Sequence, residues 1–109
     1  MKNWKIEFFN EKVMEETYSL PPKAVAKLIH ILELLEIVGA REPYTKHIGN
    51  GLFEIRIKTV EGIARCIFCY QKGQTIVILH SFVKKTKKIP QKEYKLALKR
   101  KKELENEQS

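Results

Sequence analysis

The chain has 109 residues, 43% of them hydrophobic and 31% charged, and a formal net charge of +8. That is one domain's length with material for one modest core, and no apolar run approaches the roughly 20 residues that a membrane helix needs. The first ten residues lack the unbroken apolar stretch of a secretory leader, so the expected setting is cytoplasmic with no membrane partner.

Trp4-Lys5-Ile6-Glu7-Phe8 alternates apolar and polar residues and predicts a short strand. Asn10 is placed to cap a short helix over Glu11 to Tyr18. Leu20-Pro21-Pro22 breaks that helix, and a longer one is expected from about Pro22 to Val38, since proline is tolerated where N–H groups have no partner. Val25, Leu28, Ile29, Leu32 and Leu35 form its expected apolar stripe. Lys23, Lys27, His30, Glu33 and Glu36 form the wet face, and Gly39 ends the helix.

Residues 40–51 read as a loop containing Pro43, Tyr44, His47, Gly49 and Gly51. Three strands follow: Leu52 to Lys58, Ile63 to Tyr70 and Thr75 to Phe82. Short turns at Thr59–Gly62 and around Lys72-Gly73 suit antiparallel hairpins. A final helix is expected from Pro90 to about Leu104, with residues 103–109 a frayed polar tail. The chain reads as a single domain, 1–109, with no repeat.

Cys66 and Cys69 fall in one strand at odd separation, so they face opposite sides of it. That argues against a disulfide between them, and no second cysteine pair exists for a zinc site. Both are expected to be small buried hydrophobes.

Alternation also divides the strands. Phe53, Ile55 and Ile57 share one face with Ala64, Cys66, Phe68 and Tyr70. Glu54, Arg56 and Lys58 share the other with Ile63, Arg65 and Ile67. A first hairpin symmetric about Val60–Glu61 puts Arg56 opposite Arg65, and a second symmetric about Lys72–Gly73 puts Arg65 opposite His80. Like charges directly opposite destabilise a strand pair, and a bound anion reverses that sign. Two guanidiniums suit a phosphate, and positive surroundings favour a neutral His80 able to take a proton. The alternative is a solvated face in which Arg56 pairs with Glu54 or Glu61.

The basic character is concentrated late in the chain. Residues 1–80 carry 11 Lys/Arg against 9 Asp/Glu, whereas residues 81–102 carry 10 against 1. Such a block suits a polyanion, nucleic acid above all. Lys84, Lys85, Lys87 and Lys88 would hang beside the Arg56/Arg65/His80 row, and Lys58 lies on the same face. Tyr94 is placed either to stack on a base or to pack in the core.

Gly51-Leu52-Phe53-Glu54-Ile55-Arg56, Gly62-Ile63-Ala64-Arg65 and the stretch from Leu79-His80-Ser81-Phe82 through Ile89-Pro90 resemble the phage-derived HigB-like branch of the RelE toxin superfamily. The resemblance covers nearly the whole chain. It implies an α+β, RelE-like fold: a twisted, mostly antiparallel sheet with two N-terminal helices on one face and a C-terminal helix. It implies the toxin of a type II toxin–antitoxin pair, an endoribonuclease that cuts mRNA on the ribosome by 2′-hydroxyl attack. No metal or other cofactor is implied. The implied partners are mRNA on the ribosome and a helix-turn-helix antitoxin. Arg56 and Arg65 match the family's basic strand positions, Lys84 or Lys85 a basic residue after the last strand, and Tyr94 the C-terminal tyrosine of the RelE branch. Some relatives place histidine and acidic residues near the C-terminus; this chain has none at such a spot, which leaves His80 as the candidate base. Two rival readings are a gyrase-inhibiting toxin of the same fold and a non-catalytic RNA-binding module.

Overall fold

The computed structural model describes residues 3–39 and 43–108. Its elements are β1 (Lys5–Phe8), α1 (Glu11–Tyr18), α2 (Pro22–Val38), β2 (Lys46–Gly49), β3 (Leu52–Thr59), β4 (Gly62–Gln71), β5 (Thr75–Lys84) and α3 (Gln91–Gln108). The strands form one sheet in the order β1-β5-β4-β3-β2. Only the β1–β5 pair is parallel.

Local chemistry sets the helix ends as the sequence predicts. The Asn10 side chain accepts from the Val13 N–H at 2.9 Å and caps α1. Gly39 stops α2 at a positive φ of 77°, and a Cβ there would lie 2.8 Å from the Trp4 indole. The Leu35 carbonyl accepts the Gly39 N–H at 2.8 Å, closing the last turn.

The sheet separates two apolar layers. Val13, Leu28 and Leu35 from α1 and α2 pack on Ile55, Ile57, Cys66, Phe68 and Ile78. On the other face Ala97 and Leu104 of α3 pack on Leu52, Ile67, Cys69, Val77, Leu79 and Phe82. Cys66 and Cys69 thus belong to opposite layers, and both thiols are free. Burial pushes them up, to about 12 for Cys66 and about 11 for Cys69.

Four expectations need correction. The buried stripe of α2 is Ala24, Leu28, Ile31 and Leu35, with Val25 and Leu32 partly buried, while Ile29 faces outward. The helix meets the sheet about one residue away from the angle its hydropathy suggests. Residues 46–49, expected within a loop, form an edge strand whose register slips between His47 and Gly49. The helix α3 continues past Leu104 to Gln108, supported by a Lys101–Glu105 ion pair at 2.8 Å.

The fourth concerns β5. Its turn from β4 contains three residues, because Gln71 pairs with Thr75, and Gln74 takes a positive φ of 57°. A bulge at Leu79 then adds a second offset. Arg65 therefore pairs with Phe82, and His80 pairs with Ile67. Two one-residue shifts restore the parity, so His80 stays on the α3 face although it has moved two places along the strand.

Candidate functional site

The first hairpin has the expected register, and Arg56 stands opposite Arg65. The two guanidiniums have unlike surroundings. The Arg56 side chain is 38% exposed, whereas that of Arg65 is fully buried. Arg65 is therefore not an open half of a phosphate clamp. Its Nη2 donates to the carbonyls of Thr86 and Lys87, each at 2.7 Å. Arg56 Nη2 donates to the same Lys87 carbonyl at 3.4 Å.

Glu54 is the counter-ion of both arginines. Its carboxylate oxygens lie 3.8 Å from Arg56 Nε and 3.7 Å from Arg65 Nε. Burial pushes the Glu54 carboxyl up, against the pull of Arg56, Arg65 and Lys46. Burial also pulls Arg65 down, opposed by Glu54 and assisted by Arg56. Three buried atoms here, Glu54 Oε2 and Arg65 Nε and Nη1, have no hydrogen-bond partner among the described residues. A buried, incompletely bonded charge pair is costly to hold, which makes this pair a candidate for function.

The basic loop after β5 is thus held by its main chain. Arg65 fixes the carbonyls of Thr86 and Lys87, and the Thr86 hydroxyl donates to the Lys88 carbonyl at 2.8 Å. The side chains of Lys84, Lys85, Lys87 and Lys88 stay exposed, as does that of Lys58. Gly62 passes close under this loop, where a Cβ would sit 3.0 Å from the Lys84 carbonyl carbon and oxygen.

A second charged chain lies on the same face. His80 is 5% exposed, and both of its ring nitrogens face carboxylates: Nδ1 is 2.9 Å from Glu16 Oε1 and Nε2 is 2.8 Å from Glu93 Oε1. Carboxylates thus face it on both sides, with Arg100 Nη1 also 3.4 Å from Nδ1, and neither nitrogen is open to a substrate. Arg100 Nη1 and Nη2 donate to the two oxygens of Glu16, at 3.1 and 3.2 Å, and Nη1 also donates to the Leu79 carbonyl at 2.7 Å. At the other end Lys84 Nζ lies 3.6 Å from Glu93 Oε2. Burial alone would raise Glu16, but hydrogen bonds and charge from Arg100 and His80 outweigh it and hold the carboxyl below its ordinary value. The chain Arg100–Glu16–His80–Glu93–Lys84 joins α1, β5 and α3. It forms because β1 pairs only with Thr75 to Ile78, which leaves the rest of β5 to α1.

Tyr94 is separate from these charges. Its hydroxyl accepts from Asn50 Nδ2 at 2.9 Å, and its ring packs in the α3 layer, bracing the β2–β3 turn. His47 lies on β2, with its ring 4.9 Å from that of Phe53. A groove of about 840 Å³ runs between the start of α2 and the β3–β4 turn. Of the expected site residues it contains Lys58 alone, beside Ala24 and Ile57 of the opposite layer and the exposed Val60 of the turn.

Sequence reasoning thus brought Arg56, Arg65 and Lys84 to one face and named Glu54 as an alternative partner of Arg56, but missed Glu16, Glu93 and Arg100. Glu93 reads as an ordinary acidic residue in a helix's first turn. Glu54 alternates with Arg56 on a strand face, and that was the only signal available for it.

Residues 15–102 match the model of a family described as phage derived protein Gp49-like (DUF891). The fold is similar to that of Escherichia coli toxin RelE, solved as a double mutant in the free state. The TM-score is 0.68 at 15% identity, covering 92% of this chain and 98% of that one. It is also similar to a chain of the toxin–antitoxin complex RelBE2 from Mycobacterium tuberculosis. There the TM-score is 0.56 at 19% identity, covering 79% of this chain and 97% of that one. No curated protein sequence matches the chain. No helix among the described residues is long and apolar enough to cross a membrane.

Proposed function

Because the chain belongs to the phage-derived Gp49-like family and has the fold of RelE toxins, we propose that it is the toxin of a toxin–antitoxin pair and an mRNA endoribonuclease. In this reading it cuts mRNA on the ribosome without a metal, by attack of a ribose 2′-hydroxyl on the adjacent phosphate. A helix-turn-helix antitoxin restrains it.

One observation carries the reading: a buried guanidinium, Arg65, is used to fix the backbone of a lysine-rich loop beside the exposed Arg56. Fixed donors aimed at developing charge need no reorganisation during reaction, which is how electrostatic catalysis lowers a barrier. Arg56 and Lys84 stabilise the pentavalent phosphate. Lys58, Lys85, Lys87 and Lys88 neutralise flanking phosphates of the strand. Arg65 acts through the loop it holds, and Tyr94 through the β2–β3 turn. DNA lacks the 2′-hydroxyl and is not cut.

The test is brief induction in a bacterium of the wild type and of Arg56→Ala, followed by mapping of mRNA ends by primer extension. New cuts within translated regions, present for the wild type and lost in the variant, are expected. Growth arrest with unbroken mRNA would sink the nuclease reading and select a gyrase-type target instead.

A further inference from the structure

We propose that Glu93 is the general base of the cleavage and that His80 is its positioning residue; the inference rests on the endoribonuclease reading. Elimination on the α3 face begins the argument. His80 has both ring nitrogens against carboxylates. The Tyr94 hydroxyl is engaged by Asn50. The lysines of the loop are exposed cations placed to meet phosphates. Glu54 is 5% exposed and stands between two guanidiniums as their counter-ion.

Glu93 differs from each of these. One oxygen, Oε1, is tied to His80 Nε2 at 2.8 Å, and the other, Oε2, points toward Lys84 Nζ at 3.6 Å. Its side chain keeps 13% of its surface beside a lysine that is 49% exposed. The carboxylate is thus fixed at one oxygen by a hydrogen bond, while the other meets a half-exposed cation suited to a phosphate. Its orientation is set from behind, since His80 is held by Glu16, and Glu16 by Arg100. A base held by a second group, itself held by a third, is the arrangement that keeps a proton acceptor in reacting geometry.

In the step, Glu93 Oε2 takes the proton of the 2′-hydroxyl as the 2′-oxygen bonds to phosphorus. The bond from phosphorus to the 5′-oxygen breaks, and that oxygen takes a proton from water. The products are a 2′,3′-cyclic phosphate and a 5′-hydroxyl, and Glu93 returns its proton to solvent. Lys84 balances the charge on the phosphate oxygens throughout.

The experiment is single-turnover cleavage of mRNA on programmed ribosomes across a pH series, with wild type, Glu93→Gln and Glu93→Asp. Circular dichroism melts and ribosome binding are measured beside it. The groups facing Glu93 are His80 and Lys84 from β5, with Glu16 of α1 and Arg100 of α3 behind His80. Glu93→Gln keeps the shape and the hydrogen bond but not the base. It should fold, bind ribosomes as the wild type does, and cut roughly 100-fold more slowly. The fall in rate toward acid pH, present in the wild type, should disappear. Glu93→Asp keeps a carboxylate at a displaced position, so it should be slow but retain the acid limb. Cleavage by Glu93→Gln within a few-fold of wild type, or with an unchanged pH profile, overturns the role while leaving the nuclease reading intact. Should Glu93→Gln fail to fold, full-rate cleavage by Glu93→Asp overturns it instead. No cleavage by the wild type overturns both.

Discussion

Arg56 and Arg65 face each other across β3 and β4, yet one is open to solvent and the other is wholly enclosed. Their shared counter-ion, Glu54, and the shared Lys87 carbonyl make them one electrostatic unit with two jobs. Removing Arg65 would take the buried one of two guanidiniums from Glu54, leaving it the partly exposed Arg56, and would free two carbonyls. Arg65→Ala should therefore cost about 3–5 kcal/mol of stability. Arg56→Ala, which breaks a partly exposed pair, should cost less than about 1 kcal/mol. Urea denaturation of both variants measures the contrast, and equal losses would show that Arg65 is not the buried keystone described.

The carboxyl of Glu16 gives stability a defined pH dependence. Burial acts to raise it, but Arg100 and His80 leave it below its ordinary value in the folded chain. Between the folded and unfolded values the unfolded chain binds more protons, so stability rises with pH there. The Glu16 contribution is complete above the ordinary carboxylate range and is lost as pH falls through the lowered value. Glu54 has the opposite sign, but it is present in both proteins of the comparison. Denaturation midpoints from pH 3 upward should therefore fall less steeply toward acid for Glu16→Gln than for wild type.

The two thiols should be silent in the folded state. With Cys66 at about 12 and Cys69 at about 11, almost no thiolate exists near pH 8, and both side chains are buried. Alkylation with iodoacetamide, followed by mass spectrometry, should leave the native protein unmodified. Two adducts should form in urea. Rapid labelling of the native protein would mean that one of the two layers opens easily.

The lysine loop should set the salt dependence of RNA binding. Each phosphate contact on a single strand contributes roughly 0.7 to the slope of log K against log salt. The triple variant Lys85→Ala/Lys87→Ala/Lys88→Ala should thus flatten that slope by roughly 2 if all three lysines meet phosphates. Unfolding midpoints should barely change, because these side chains are solvated. An unchanged slope would place the RNA elsewhere on the molecule.

Much of the fold was legible because local chemistry decided it. The Asn10 cap, the Pro22 start, the Gly39 stop and the symmetric turn at Val60–Glu61 all act over a few residues. Strand β2 was hidden because Lys46-His47-Ile48-Gly49 has no alternation and is held only along β3, with a slipped register. The offset of β5 was hidden because Gln74 takes a positive φ in addition to Gly73, and because nothing in Ile78-Leu79-His80 marks a bulge. The burial of Arg65 was illegible for a different reason. Its partners are main-chain carbonyls of Thr86 and Lys87, which every residue possesses. The Glu16–His80 contact joins positions 64 residues apart, beyond any local pattern.

The parallel pairing of β1 with β5 has a consequence for synthesis. Lys5 meets Thr75 and Phe8 meets Ile78, so the first strand made has no place in the sheet until the last one exists. Closing so long a loop is slow compared with forming the β3–β4–β5 meander. The chain that links Glu16 to Glu93 through His80 and Arg100 waits longer still, since it needs residue 100. A nascent or truncated copy therefore carries the lysine loop without the assembled carboxylates beside it. The charged chain across this face is therefore complete only once α3 has docked on β5.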